Sequence, residues 1–224
     1  MKLIKVLASV AILLSSEIVM ADVQQDVAQL QKRWAEVNYT LKNKAQKEAF
    51  EALIVQADKV ISTYPDAAET WIWRGIIKSS YAGAKGGLGA MSLAKASKAD
   101  LEKAMTLNDM ALSGSAYTSL GTLYFKVPGW PIGFGDDDKA KELLEKALTI
   151  NPDGIDSNYF YAEFLADQHL YQKAEQYLLK AQQASPRPDR PLADKGRRDE
   201  ITVSLHKIHT QLKTKNNASI TDRR

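Results

Sequence analysis

The 224-residue chain contains no cysteine. That excludes a disulfide framework, a thiol nucleophile, a cysteine-ligated zinc site and an iron–sulfur cluster. It also excludes a lipoprotein anchor, which needs a cysteine to acylate. Histidine is scarce, with three in all, so general bases and metal ligands are few. Charge of one sign is lacking too: 30 Lys and Arg against 27 Asp and Glu leave +3, too little to imply a nucleic-acid partner. No apolar run reaches the ~20 residues of a membrane span. No stretch alternates with β-branched and aromatic residues as a strand does, so no sheet is expected. What remains is an ordinary globular balance, 45% hydrophobic and 25% charged, which argues against disorder, a collagen-like chain or a polytopic membrane protein.

The first residues read as a leader. Lys2 and Lys5 give a basic start, Leu7 to Leu14 form a short apolar run, and Val19-Met20-Ala21 offers the small-x-small pattern of signal-peptidase sites. Cleavage after Ala21 is expected, leaving an exported chain with no membrane span. The absence of cysteine suits an oxidising compartment such as a bacterial periplasm.

From residue 22 onward the chain reads as helix after helix. Ala, Leu, Lys, Gln and Glu dominate, and apolar residues recur at helical spacing, as in Ala140, Leu143, Leu144, Ala147 and Leu148. Breakers at Tyr64-Pro65-Asp66, Asn108-Asp109, Asn151-Pro152-Asp153-Gly154 and Ser185-Pro186-Arg187-Pro188 divide it into helical pairs. The breakers repeat. Ala162, Ala174 and Pro186 follow at twelve-residue steps, with Leu165, Leu178 and Ala181 between them. These are the intervals of the tetratricopeptide pattern. Tyr117, Leu120, Gly121 and Tyr124 stand at its first four signature positions, completed by Ala140, Leu144, Ala147 and Asn151-Pro152; an earlier unit has Trp71, Gly75, Leu101, Ala104 and Asn108-Asp109. The expected fold is an all-α tetratricopeptide-repeat solenoid of antiparallel helix pairs with elongated intra-repeat turns. The expected segments are a leader over 1–21, a degenerate helical pair over 22–66, three repeats over 67–190, a capping helix over 191–213 built on Ile201, Leu205, Ile208 and Leu212, and a disordered tail over 214–224.

Two repeats are too long. Gly75 to Asp109 spans thirty-four residues and Gly121 to Pro152 thirty-one, against twenty-four from Ala162 to Pro186. The extra residues fall in Ala82-Gly83-Ala84-Lys85-Gly86-Gly87-Leu88-Gly89 and in Val127-Pro128-Gly129-Trp130-Pro131-Ile132-Gly133-Phe134-Gly135. Both lie at the turn inside a repeat, so both are expected as loops on one face of the stack, often the binding face. Trp130 and Phe134 have two roles open to them: folding back to plug the helices, or meeting a ligand. By the repeat register, Ile72, Ile76, Thr118, Thr122, Phe125, Tyr159 and Glu163 are expected on the concave groove. Tyr81, Lys85, Trp130 and Phe134 are expected at its rim.

Signals of chemistry are weak. The Gly83–Gly89 stretch lacks the G-x4-G-K-[ST] order of a phosphate loop and follows no strand. Asp136-Asp137-Asp138 reads as a helix N-cap before a metal site. His206 and His209 share a helix face, as metal ligands or as a plain polar face. Glu163 and Asp167 stand one turn apart, as groove charges before a catalytic pair. No G-x-S-x-G or H-E-x-x-H order appears. Arg187, Arg190, Arg197 and Arg198 form a basic cluster, either docking a carboxylate or spent on Asp194 and Asp199. No catalytic residue, metal or cofactor is expected.

Several segments carry a family resemblance: Leu123-Tyr124-Phe125-Lys126-Val127-Pro128-Gly129-Trp130-Pro131-Ile132-Gly133-Phe134-Gly135-Asp136, then Asn151-Pro152-Asp153-Gly154 with Tyr159-Phe160-Tyr161, then Pro186-Arg187-Pro188 through Arg190-Pro191-Leu192-Ala193-Asp194 to Gly196-Arg197-Arg198. Over roughly residues 65 to 200 the chain resembles exported bacterial tetratricopeptide proteins similar to TatT, the T component of tripartite ATP-independent periplasmic (TRAP) transporters. The resemblance implies a non-catalytic periplasmic adaptor that associates with another periplasmic protein, a solute-binding protein. It also implies an apolar small ligand and self-association around a central opening. The chain departs from the lipid-anchored members, since it has no cysteine to acylate. A general envelope scaffold using the same groove is the alternative.

Overall fold

The computed structural model describes residues 22–221; the expected leader, 1–21, lies outside them. Nine helices follow one another in the described residues: α1 (22–40), α2 (Asn43–Thr63), α3 (Ala68–Lys85), α4 (Gly87–Asn108), α5 (Ala111–Lys126), α6 (Asp137–Ile150), α7 (Ile155–Asp167), α8 (Tyr171–Gln183) and α9 (Pro191–Thr221). No strand occurs among them; a lone bridge joins Gly129 and Gly135. The strongest packing is within the pairs α3–α4, α5–α6 and α7–α8, and each pair then leans on the next. The odd helices also touch in series, α3 to α5 and α5 to α7, so they line one side of the stack.

Small residues set the distance between paired helices. A Cβ at Gly75 would stand 2.8 Å from Leu101 Cγ, and one at Gly121 would stand 2.8 Å from Leu144 Cγ. The same glycine–leucine contact therefore closes two successive hairpins, and Ala162 takes the place in the third. Leu101 and Leu144 are fully buried, each contributing about 1.5–3 kcal/mol of apolar transfer. The stack is a continuous core in three overlapping clusters, with no single hairpin able to bury its face alone. Charge adds one buried lock: Asp100 on α4 accepts from Arg74 at 2.6 and 2.9 Å and from Lys78 at 2.7 Å, both on α3.

The two long repeats differ from expectation in one case. The residues over 82–89 form no loop. They lengthen the hairpin instead: α3 and α4 have 18 and 22 residues where α7 and α8 have 13 each. Only the pair Gly86 and Gly87 leaves the helical path, with φ 65 and 60, and the Gly86 N–H donates to the Ala82 carbonyl. Positive φ costs a glycine little, so two of them suffice to end one helix and start the next. The segment holds no proline, so nothing else interrupts the helical hydrogen bonds. The second long repeat does form a loop, between α5 and α6. At the other end, α9 continues to Thr221 through residues whose composition marks them as a tail. A helix nucleated by its packed first half extends at little cost. Residues 222–224 lie outside the described ones.

Candidate functional site

The side lined by odd helices is not an open groove. The segment 187–200, the link before α9 and its first turns, lies across it and reaches α1, α3 and α7. Gly196 abuts the ring of Tyr39 on α1, so closely that a Cβ would enter the ring. Leu192 and Ala193 join the core of Trp34, Phe50 and Trp73. The Arg190 guanidinium lies 5.0 Å from the Trp73 ring, and its Nε is buried with no hydrogen-bond partner.

Carboxylates and guanidiniums fasten this closure. Asp156 on α7 accepts from Arg197 Nε at 2.8 Å and from Arg187 at 2.7 Å. Asp194 accepts from Arg187 twice, from its backbone N–H and its Nε, each at 2.6 Å. Arg197 also donates to Glu200 at 2.5 Å and covers the rings of Tyr159 and Phe160 at 4.4 and 4.5 Å. The Tyr39 hydroxyl donates to Glu200 at 3.5 Å. Burial acts to raise the Asp156 carboxyl, but the guanidiniums of Arg197, Arg187 and Arg190 outweigh it and hold the group well below the usual carboxylate range. Burial lifts the Glu200 carboxyl, with Arg197 opposing. Burial pushes the Tyr39 phenol up to about 12. Of the four arginines, Arg198 has a different task, donating to the Gln182 and Ala184 carbonyls at the end of α8. The cluster is thus spent within the chain.

What stays open is a cleft of about 620 Å³ between the α1–α2 turn, α7 and α9. Its walls include Tyr39, Tyr159, Glu163, Glu200, Ser204 and Lys207. Glu163 accepts from Ser204 at 2.6 Å, and the Lys126 ammonium is 3.9 Å away. The walls are as much charged as apolar.

The residues expected on the groove are redistributed accordingly. Ile72, Thr118, Phe125 and Tyr159 are buried rather than displayed. Ile72 packs in the α3–α6 core, Phe125 meets Phe164 at 5.7 Å, and Tyr159 lies under Arg197. Ile76 is half-buried against the first core, and Thr122 turns its hydroxyl to the Thr118 carbonyl at 2.8 Å. Tyr81 is no rim residue: it is buried, stacked on Phe50 and hydrogen-bonded to Glu51. Lys85 is exposed at the end of α3, 5.1 Å from the Tyr81 ring. Glu163 alone of the groove set faces the cleft while only partly covered. The physical reason is the closure itself, since 187–200 and the helix contacts occupy the surface the register assigns to a ligand.

The loop over 127–136 is the other candidate. Its backbone is braced: Ile132 and Gly133 N–H groups donate to Gly129 O at 3.1 Å, Gly135 to Pro128 O at 2.9 Å, and Asp136 to Tyr124 O at 2.9 Å. The two aromatic roles divide between two residues. Phe134 turns inward, edge-on to Tyr124 at 5.6 Å. Trp130 turns outward and is 90% exposed, with Ile132 72% exposed beside it. Asp136 caps α6, its side chain accepting from Lys139 N–H at 2.9 Å. Asp137 accepts from Gln168 at 3.0 Å, and Asp138 is exposed. His209 lies 2.6 Å from Glu175, and His206 is exposed. No group of three potential metal ligands assembles among the described residues. None of their helices is long and apolar enough to cross a membrane.

A family model described as tetratricopeptide repeat matches residues 132–194. The crystal structure of MamA is similar with a TM-score of 0.43 at 20% identity, covering 78% of this chain and 95% of that one. A second crystal structure of MamA protein gives 0.42 at 19% identity, covering 84% and 95%. No curated protein matches the chain. The matched residues include the α7–α8 hairpin, the one of regular length, and the helix pairs before it share its small-to-large contacts. The fold is an all-α tetratricopeptide-repeat solenoid.

Proposed function

We propose that this chain is a non-catalytic adaptor of the bacterial periplasm, a T-type component that associates with a TRAP solute-binding protein. A solenoid of this class suggests protein partners. The observation that carries the reading is the braced loop over 127–136. The Val-Pro-Gly-Trp-Pro segment that carries the family resemblance is also the part that offers a bare tryptophan to solvent. The leader over 1–21 and the lack of cysteine support export. The inner cleft, with Glu163, Glu200 and Lys207 in its walls, suits a polar or peptidic contact better than an apolar small ligand.

Cross-linked co-purification of the full chain from the periplasm of its host tests this. Recovery of a solute-binding protein or a transporter subunit supports the transport reading. Recovery of envelope assembly factors alone replaces it with a general scaffold that uses the same surfaces.

A further inference from the structure

A folded protein seldom leaves a tryptophan almost bare. Burying such a ring is among the largest apolar gains open to any side chain, and interface hot spots are enriched in it. Trp130 is 90% exposed and Ile132 72%. They are not loose: four backbone hydrogen bonds brace the loop, and Phe134 anchors it on Tyr124. The knob is therefore ordered before it meets anything, which removes much of the entropy cost of docking.

Its charge is one-sided. Residues 127–138 contain three aspartates and no lysine or arginine. Three basic residues close by are engaged: Lys139 with Glu142 at 2.8 Å, Lys98 with Glu102 at 2.5 Å, and Lys126 over the Phe125 ring at 4.6 Å. An acidic margin repels the anionic headgroups that draw basic segments to membranes. It attracts a protein surface that carries lysine or arginine.

We propose that Trp130 and Ile132 dock into an apolar pocket on a partner protein, and that this pocket is rimmed by basic residues that meet Asp137 and Asp138. The inference rests on the adaptor reading for the existence of a partner. It adds the place of contact, the out-turned edge rather than the closed inner side, and the chemistry of the surface met there.

A photo-reactive benzoylphenylalanine placed at Trp130 or at Ile132 in the full chain, and at exposed Met110 as a control, tests it in the native host. The expected result is an adduct from 130 and 132 that Met110 does not give. Its cross-linked peptide maps to an apolar site flanked by Lys or Arg. With the identified partner purified, Trp130→Ala weakens binding at least about 30-fold. D137N/D138N slows association several-fold and removes most of its salt dependence. Five outcomes overturn the proposal: no adduct; an adduct with a second copy of this chain; a partner site without basic residues; a partner held as tightly by Trp130→Ala as by the wild type; or a blue shift of tryptophan emission on vesicles of one part phosphatidylglycerol to three of phosphatidylethanolamine that Trp130→Phe abolishes. The two readings fail separately. A captured partner unrelated to transport removes the transport reading and leaves the docking loop. A solute-binding protein held as tightly by Trp130→Ala as by the wild type does the reverse.

Discussion

Residues 187–200 and residues 127–136 both depart from the repeat, in opposite directions. The first turns into the solenoid, where four arginines find carbonyls, carboxylates and aromatic faces on other helices. The second turns out, secures itself with its own backbone and Phe134, and leaves its largest side chain in water. The difference separates two duties. The inward segment holds the molecule together, and the outward one is free to recognise something. Substitutions in the first therefore alter stability, and substitutions at the tip of the second alter only binding.

The comparison breaks most visibly at Arg197. Arg197→Ala strips Asp156 and Glu200 of a partner and uncovers Tyr159 and Phe160. Asp156 keeps Arg187 and both carboxylates are about a third exposed, so the loss is that of charge-assisted hydrogen bonds, about 1.5–3 kcal/mol, read as a lower urea midpoint at neutral pH. If Arg197→Ala unfolds no earlier than wild type, the inward segment is not a fastening. Next comes Gly196→Ala. The added methyl meets the Tyr39 ring, and overpacking of this kind costs about 1–3 kcal/mol. Combining it with Tyr39→Ala should cost less than the sum of the two, because the clash is gone.

Acid should loosen the same closure. The Asp156 carboxyl sits well below its ordinary value in the folded chain. Its contribution is full above the unfolded carboxyl's pKa of about 3.9 and is lost as pH falls below that, toward the folded value. Glu200 is shifted upward and so acts oppositely, its share declining as pH rises through its folded pKa. Urea midpoints measured from pH 6 to pH 2.5 should fall less steeply in Asp156→Asn than in wild type; parallel curves would count against the assignment. The smallest effects sharpen the contrast inside the loop. Phe134→Ala should cost about 1 kcal/mol through lost packing, whereas Trp130→Ala should leave the thermal midpoint where it was. A Trp130→Ala variant that melts early would mean that the ring is packed after all.

Much of this architecture could be read from spacing alone, because the small-to-large contacts that close a hairpin recur at fixed intervals. Gly75, Gly121 and Ala162 announce the repeat for the same reason that they hold it. The Asp136 cap was equally legible, since an acidic residue before an apolar-periodic run has one dominant use. Other features were hidden. The glycines of 82–89 suggest a loop, yet the chain is helical up to Lys85 and again from Gly87, since tertiary packing outweighs a cost of about 1 kcal/mol per helical glycine; the insertion that holds Pro128 and Pro131 does leave the helix, from Val127 to Asp136. Trp130 and Phe134 look alike in sequence; which one turns inward depends on the position of Tyr124. The inner closure was least legible. The arginine cluster is conspicuous, but nothing local says that its partners are Asp156 and the ring of Trp73.

The contacts of Tyr39 with Gly196 and Glu200 join residues up to 161 positions apart. Repeat arrays ordinarily come apart from their ends, each terminal unit fraying because it has a neighbour on one side only. Here the first and the last of the described helices are each other's neighbour, so neither stands at an open end of the described array at that point. Amide protons near the end of α1 should exchange with solvent about as slowly as those of α5 in the middle of the stack. Such a circuit also closes late in folding, since its ends must find one another across most of the chain.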